Sequence, residues 1–347
     1  MIAEQGVEQI KLTQFSHGAG CGCKIAPKVL DEILHNNLGI EENKLLVGNS
    51  SRDDAAVYDL GNGTALISTT DFFMPIVDDP FEFGRIAAAN AISDVYAMGG
   101  RPILALAVLG WPVEKIPASI ARKVIEGGRS MCGEAGITLA GGHSIDSPEP
   151  IFGLAVNGIV QIENLKKNNT AKEGDHIFLT KPIGVGIFST AMKRNLLKEG
   201  DEELLINHLT KLNSIGEHLG KIKEVNALTD VTGFGLLGHL IEMAEGSGLS
   251  AEINYNAIPK LNGVEAYLKD RIVPDATYRN WNSYSSKVGF GKGVNVMEAF
   301  NLLPDPQTNG GLLISVSRAG LESVKALIGS EPIGRMIAKG DKVVAVV

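Results

Sequence analysis

TALISTTDFF at 64–73, FEFGRIAAANAISDVYAM at 81–98 and ILALAVL at 103–109 form the stretch from which the rest of this chain is best read. The first segment is rich in β-branched and aromatic residues and reads as a strand with Asp71 near its end. The second reads as a helix, stopped by Gly99-Gly100 and Pro102. The third is a fully apolar strand. A period of 3.6 stacks Ile86, Asn90, Asp94 and Met98 along one helix face, so Asp94 stands on or beside a largely apolar surface. An unpaired carboxylate there costs several kcal/mol at least, and only a hydrogen-bonded partner or a cation relieves it.

Working outward, Pro27 opens a short helix with Val29, Leu30, Ile33 and Leu34 on its apolar side. A helix is expected at 118–135, a short strand at 137–140 entering a loop at Gly141-Gly-His-Ser144, and a strand at 151–161. Residues 163–174 (ENLKKNNTAKEG) are polar, charged and aperiodic, and the domain boundary is placed there. Beyond it come strands at 176–180, 225–231 and 250–255, and helices near 187–198, 202–222 and 236–246. Residues 270–292 read as a polar loop, and Asp305-Pro-Gln-Thr-Asn-Gly-Gly311 as a rigid turn before a last αβ portion. The division is therefore 1–48 as a glycine-rich flexible lid and short helix, 49–162 and 175–347 as two domains, and 163–174 as the linker.

A chain of 347 residues is too long for one ordinary core, which agrees with two domains. Net charge is −8 and no Lys/Arg run occurs, so a nucleic-acid partner is not expected. An anionic ligand would need bound cations to meet it. The three cysteines and an N-terminus without a basic-then-apolar plan fit a reducing, cytoplasmic setting, and no apolar stretch approaches the ~20 residues of a membrane span.

Several aspartates sit at element ends beside glycine loops: Asp53 and Asp54, Asp71, Asp94 and Asp230. Singly each reads as an ion pair or a cap. Together they suggest an oxygen-lined site for a hard cation. His17-Gly-Ala-Gly-Cys-Gly-Cys-Lys24 lacks the order of a phosphate-binding Gly-Lys-Ser/Thr loop, and a zinc site would want four ligands. It reads either as a flexible tail with incidental cysteines or as a mobile lid bearing a reactive Cys21, its pKa lowered by Lys24. Gly233-Phe-Gly235-Leu-Leu-Gly238 matches a dinucleotide fingerprint, but the expected acid about 20 residues on is poorly placed, and a tight strand-to-helix turn is the plainer reading. His143 is a base or a satisfied loop residue, while Gly141, Gly142 and Ser144 could present N–H groups to a phosphate.

Taken together the segments resemble selenophosphate synthetase (selenide, water dikinase), a member of the aminoimidazole ribonucleotide synthetase-like superfamily. The matching pieces are 17–24, 52–57, 68–73, 90–100, 140–144, 229–235 and 305–311, in the family's order. The resemblance implies an α+β fold of two domains, each a mixed sheet packed with helices. The N-terminal domain binds ATP and metal and pairs with a second copy into a dimer barrel. It implies ATP + selenide + water giving selenophosphate + AMP + phosphate, with Mg2+. Cys21 and Lys24 would be catalytic. Lys24, Ser51, Arg52, Asp53, Asp71, Asp94, Gly142, His143 and Ser144 would contact ATP, and Asp54, Asp94 and Asp230 would hold magnesium. A homodimer follows as well, with ATP and selenide as small-molecule substrates. The chemistry admits a monovalent cation and a selenium-delivery protein, which the sequence does not identify. Asn309 departs from the family turn, which usually has serine.

Two rivals remain. A related kinase or synthetase acting on an oxygen acceptor would have no use for the Gly-Cys-Gly-Cys-Lys lid. A non-catalytic selenium or metal carrier would leave the aspartates and glycine loops unexplained; equilibrium dialysis separates it, since a carrier binds metal or selenite without ATP.

Overall fold

The computed structural model describes residues 10–25, 27–34, 43–48 and 53–347. The first half builds a six-stranded mixed sheet from β1 (Leu45–Val47), β2 (Ala56–Asp59), β3 (Thr64–Phe73), β4 (Arg101–Trp111), β5 (Thr138–Asp146) and β6 (Ile151–Gln161), in the order β1-β2-β3-β6-β4-β5. Only β4 and β5 run parallel. Helix α1 (Pro27–Leu34) precedes the sheet, and α2 (Pro80–Ala97) and α3 (Ala118–Glu134) pack together against it. The second half builds a seven-stranded mixed sheet from β7 (His176–Leu179), β8 (Val225–Asp230), β9 (Ser250–Ile253), β10 (Val288–Phe290), β11 (Leu312–Val316), β12 (Gly334–Ile337) and β13 (Val344–Val346), in the order β10-β13-β9-β12-β7-β11-β8. The fold is thus two mixed sheets, each packed with helices.

Helix α2 explains how the halves meet. Asp79 caps it by accepting from the Glu82 N–H at 2.9 Å, and Pro80 pre-sets its first turn. From Ile86 to Ala97 every residue is buried. A helix buried all round must have protein on every side. One side covers β3 and β6; the other meets β8 and the helices at Asp201–Leu209 and Ile215–Gly220. Its polar residues Asn90, Ser93 and Asp94 therefore point into protein, and each must be satisfied there.

The α2–α3 contact depends on two glycines. A Cβ on Gly84 would overlap the Val124 carbonyl oxygen, and one on Gly127 the Phe81 carbonyl oxygen. The two helix backbones touch where they cross. Gly127→Val should push them apart and destabilise the protein by about 2–3 kcal/mol, read as a lowered thermal midpoint. An unchanged midpoint would refute the close crossing.

The open face of the first sheet bears exposed Tyr58, Phe72 and Leu106, and the edge strand β5 is exposed along nearly its whole length. Segment 163–174 is no free tether. Lys166 is buried and donates to the Ile222 and Val225 carbonyls, both at 2.9 Å, and Asn168 N–H donates to Asp53 Oδ1 at 3.2 Å.

Three local readings need correction. The expected loop at 141–144 is continuous strand, because β4 supplies ladder partners for Gly142, His143 and Ser144. The helix expected at 202–222 is broken between Leu209 and Ile215. There Asn213 leaves the helical path to donate to Ser93 Oγ and to the Gly310 carbonyl, both at 2.8 Å. The supposed loop 270–292 contains a helix, Asp275–Tyr284, and strand β10. Its anchor is long-range: Trp281 packs against Phe290 and Phe300, and Asn280 donates to the Gly233 and Pro304 carbonyls.

Candidate active site

Strand β3, helix α2 and strand β8 aim their carboxylates at one cavity of about 630 Å3 between the two sheets. Asp53, Asp54, Asp71, Asp94, Asp230 and Lys24 line it. Asp71 alternates inward on β3, Asp94 lies buried in the last turn of α2, and Asp230 closes β8. Ser51 and Arg52 lie outside the described residues. Gly142, His143 and Ser144 do not line this cavity. They sit on β5, three strand positions from β3, about 14 Å across the sheet.

Asp53 accepts from the Asn168 N–H, at 3.2 Å on Oδ1 and 3.4 Å on Oδ2, and each of the other four acids has a hydrogen-bond partner on one oxygen. Asp54 Oδ1 accepts from Thr229 at 2.8 Å, Asp94 Oδ2 from Thr69 and Asp230 Oδ2 from Ser93, each at 2.5 Å. Asp71 Oδ2 accepts from Asn90 at 2.8 Å and faces Lys24 Nζ at 3.4 Å. Asp54 Oδ2 is buried and has no hydrogen-bond partner among the described residues.

These partners do not balance the charge. Burial raises the carboxyl of Asp230 to about 6, against the lowering effect of its Ser93 hydrogen bond and of Lys24. Burial raises Asp53 to about 6 as well. Burial and then Asp230 push Asp54 and Asp94 well above the usual carboxylate range. Among the described residues Lys24 is the one lysine or arginine lining this cavity. Burial disfavours its charge, but Asp71 and its neighbours outweigh that and hold it well above the ordinary lysine value.

The donor set fits a hard divalent cation: all oxygen, crowded, and with an orphaned buried carboxylate oxygen. No three His, Cys, Asp or Glu side chains among the described residues form a ready-made metal cage.

Residues 17–24 reach this cavity through Lys24. Cys21 is buried in a 3₁₀ turn at Gly20–Cys23. Its N–H donates to Thr308 Oγ1 at 2.9 Å and its thiol to Asn90 Oδ1 at 3.3 Å. Asn309 N–H donates to the same Asn90 oxygen at 2.7 Å. Asn90 thus links lid, turn 305–311 and Asp71. Lys193 clamps the Ser16 and Gly18 carbonyls at 2.8 and 3.1 Å, and Arg279 the Gly22 carbonyl at 2.9 Å. The thiol differs from the expected thiolate. Burial, then Asp71, pushes Cys21 well above the ordinary cysteine value, and Lys24 only partly offsets them.

The Gly-x-Gly-x-x-Gly stretch also serves the lid. A Cβ on Gly233 would stand 2.6 Å from the Cys21 carbonyl oxygen and 3.1 Å from Lys24 Cδ. Gly233→Val should hold the lid off and speed iodoacetamide labelling of Cys21 at least about tenfold, as burial now blocks the thiol. Labelling at the original rate would show that Gly233 does not set closure.

Residues 52–160 match the family model "AIR synthase related protein, N-terminal domain", and residues 172–347 its C-terminal counterpart. The chain is 55% identical over 350 residues to the selenide, water dikinase of Aeromonas hydrophila, covering 98% of this chain and 100% of that one. It is 59% identical over 318 residues to that of Escherichia coli strain K12, covering 91% of this chain and 90% of that one. The chain belongs to the selenide, water dikinase family. In fold it is similar to thiamine monophosphate kinase from Aquifex aeolicus, with a TM-score of 0.64 and 19% identity over 92% of this chain and 94% of that one. It is similar too to the hydrogenase maturation protein HypE in complex with ATP, with a TM-score of 0.64 and 18% identity over 96% of this chain and 93% of that one.

The candidate site also uses residues the sequence did not single out. Thr69, Ser93 and Thr229 hold carboxylate oxygens, and Thr308 holds the lid. For Asn90 a signal existed, a polar residue one turn before Asp94 in an alanine-rich helix, whereas Ser93 points to a different side of the helix from its neighbour Asp94. The 305–311 turn is structural. Asp305 accepts from Gly186 N–H at 3.0 Å, and Gln307 Oε1 from Gly184 and Val185 N–H at 3.2 Å, which caps the helix Val185–Lys193. Asn309 suits its place, with a left-handed φ of 47° and its amide donating to the Leu209 and Lys211 carbonyls.

Proposed function

We propose that this chain makes selenophosphate from ATP, selenide and water, releasing AMP and phosphate. The observation that carries the reading is the closed lid, which sets Lys24 Nζ 3.4 Å from Asp71 on the wall of the acid-lined cavity, with Cys21 buried directly behind. In this reading the triphosphate lies in that cavity. Lys24 meets phosphate oxygens. Asp54, Asp94 and Asp230 hold Mg2+, with Asp53 and Asp71 beside them. Magnesium would reverse the repulsion between carboxylates and phosphates and offset charge developing at the transferred group.

Hydrogen selenide monoanion attacks the γ-phosphorus. A P–Se bond forms, the bridging P–O bond breaks, and ADP takes the electron pair. Water then attacks the β-phosphorus of retained ADP, giving AMP and phosphate. The lid excludes bulk water from the first step, and Asn90 and Thr308 fix its closed position.

Gly142, His143 and Ser144 lie too far across the sheet to touch a nucleotide in this chain's own cavity. Their proposed contact with ATP is therefore made across a homodimer, in which the open face and edge strand β5 of the first sheet meet a second copy. The exposed Tyr58, Phe72 and Leu106 support that pairing. A monomeric mass in sedimentation at micromolar concentration would contradict it. No helix among the described residues is long and apolar enough to cross a membrane, and the proposed setting is the cytoplasm. Segment 163–174 is taken as the joint between the two domains.

Anaerobic phosphorus NMR with ATP, magnesium and selenide tests the reading. A selenide-dependent P–Se resonance with AMP and phosphate, absent in Cys21→Ser and Lys24→Ala, is expected. ATP consumption without a P–Se product, or accumulation of ADP alone, would refute it and point to an oxygen acceptor.

A further inference from the structure

The acid-lined cavity has a neighbour of opposite charge. Beyond the lid lies a second cavity of about 560 Å3, many times the roughly 30 Å3 of one water molecule. Among the described residues, Lys24, Lys193, Arg194 and Arg279 line it against one carboxylate, Asp275, with His17 at its side. Lys24 belongs to both cavities. Thr308, which holds the Cys21 N–H, also lines the basic one. The lid segment is therefore a wall of the basic chamber, lined by His17, Gly18, Ala19, Gly22 and Lys24, and Lys24 alone of the segment reaches the acidic chamber. Cys21 is inside the wall and Lys24 passes through it.

We propose that the basic cavity is the port through which the anionic selenium nucleophile reaches Cys21 and Lys24 while the nucleotide occupies the acidic one. This rests on the selenophosphate reading above. Three arguments support it. In-line displacement needs the nucleophile on the face of the γ-phosphorus opposite the leaving ADP, and a nucleotide filling the acidic chamber obstructs approach from its own side. A monoanion entering past five aspartates and a triphosphate is repelled, whereas four cations draw it into the other chamber. The basic chamber is also poorly built to clamp a triphosphate itself. The N–H groups at the start of helix Val185–Lys193 are taken by Asp305 and Gln307, and Lys193 and Arg279 are engaged with lid carbonyls. What remains is a field suited to guiding a small anion.

Thr190, half-buried on that helix and lining the basic cavity, allows a test by sign of charge. Thr190→Glu, Thr190→Gln and Thr190→Lys are similar in reach and differ in charge, so a merely steric effect moves all three alike. The KM for selenide should fall in the order Glu, Gln, Lys over a span of about tenfold or more, while the KM for ATP stays within about twofold. Equal KM values for selenide, or an ATP KM that follows the charge, would overturn the port.

A second readout needs no turnover. With magnesium and a non-hydrolysable ATP analogue filling the acidic chamber, Cys21 is labelled with iodoacetate or iodoacetamide and quantified by peptide mass spectrometry. The ratio of anionic to neutral reagent should rise from Glu through Gln to Lys. If that order holds but the wild type shows no selenide-dependent turnover, the selenophosphate reading falls and the anion port stands. No labelling of Cys21, or a ratio indifferent to charge, overturns the port even if turnover is normal.

Discussion

Lys24→Ala is expected to lose selenide-dependent AMP formation by about a thousandfold. The cause lies in the charge balance of the cavity. Five aspartates line it, four of them with carboxyls raised by burial and three of those, Asp54, Asp94 and Asp230, also by neighbouring carboxylates, and Lys24 is the one lysine or arginine lining it among the described residues. Among the described residues, removing that charge leaves Asp71 with the Asn90 amide and leaves the cavity without a lysine or arginine to meet the phosphates. Added magnesium should not rescue the variant, because a soluble cation does not replace an ammonium fixed at the lid. Lys24→Arg should recover part of the activity, limited by the different shape of its donors. Anaerobic initial rates over a magnesium series decide the matter. A Lys24→Ala protein within about tenfold of wild type would remove Lys24 from the chemistry.

Asp230→Asn should lower magnesium-dependent turnover by about a hundredfold or more and at the same time stabilise the metal-free protein. The sign follows from linkage. A carboxyl whose folded-state value is raised binds its proton more tightly when folded, so its contribution to stability is present at low pH and is lost as pH rises from the unfolded value near 4 through about 6. At pH 8 the buried, ionised Asp230 therefore costs the folded state up to roughly 3 kcal/mol. Asparagine keeps the shape and can still accept from Ser93, without the charge. Its thermal midpoint in chelator should exceed that of wild type, and magnesium with nucleotide should stabilise wild type more than the variant. A lower midpoint in chelator, or full turnover, would show that Asp230 is a structural acid.

The two substitutions act on opposite sides of one balance. The cavity is an unsatisfied anion cluster that becomes favourable only with cations and phosphates in it. Stability is given up there, as is common where binding must be strong. The buried neutral Cys21 belongs to the same picture, since the acids that await a cation also hold its proton in place.

Local sequence determined much of this protein. The β-branched and aromatic content of 64–73, the apolar run at 103–109 and the helical period through Asp94 each depend on neighbours a few residues away, and β3, β4 and α2 form where those patterns place them. The acidic candidates and Lys24 were legible for the same reason, as charged residues standing at strand ends, on an apolar helix face or in a glycine loop. Tertiary structure decided what required distant chain. Asp53, Asp71, Asp94 and Asp230 converge only because α2 lies between two sheets. Gly142, His143 and Ser144 became strand because β4 offered a ladder, and 275–284 became helix because Trp281 found Phe290 and Phe300. Gly233 is glycine for the sake of Cys21, more than two hundred residues earlier in the chain. Whether that thiol is charged was beyond sequence too. Lys24 is its neighbour in the chain, but burial and Asp71 reach it only through the fold, and together they outweigh the lysine.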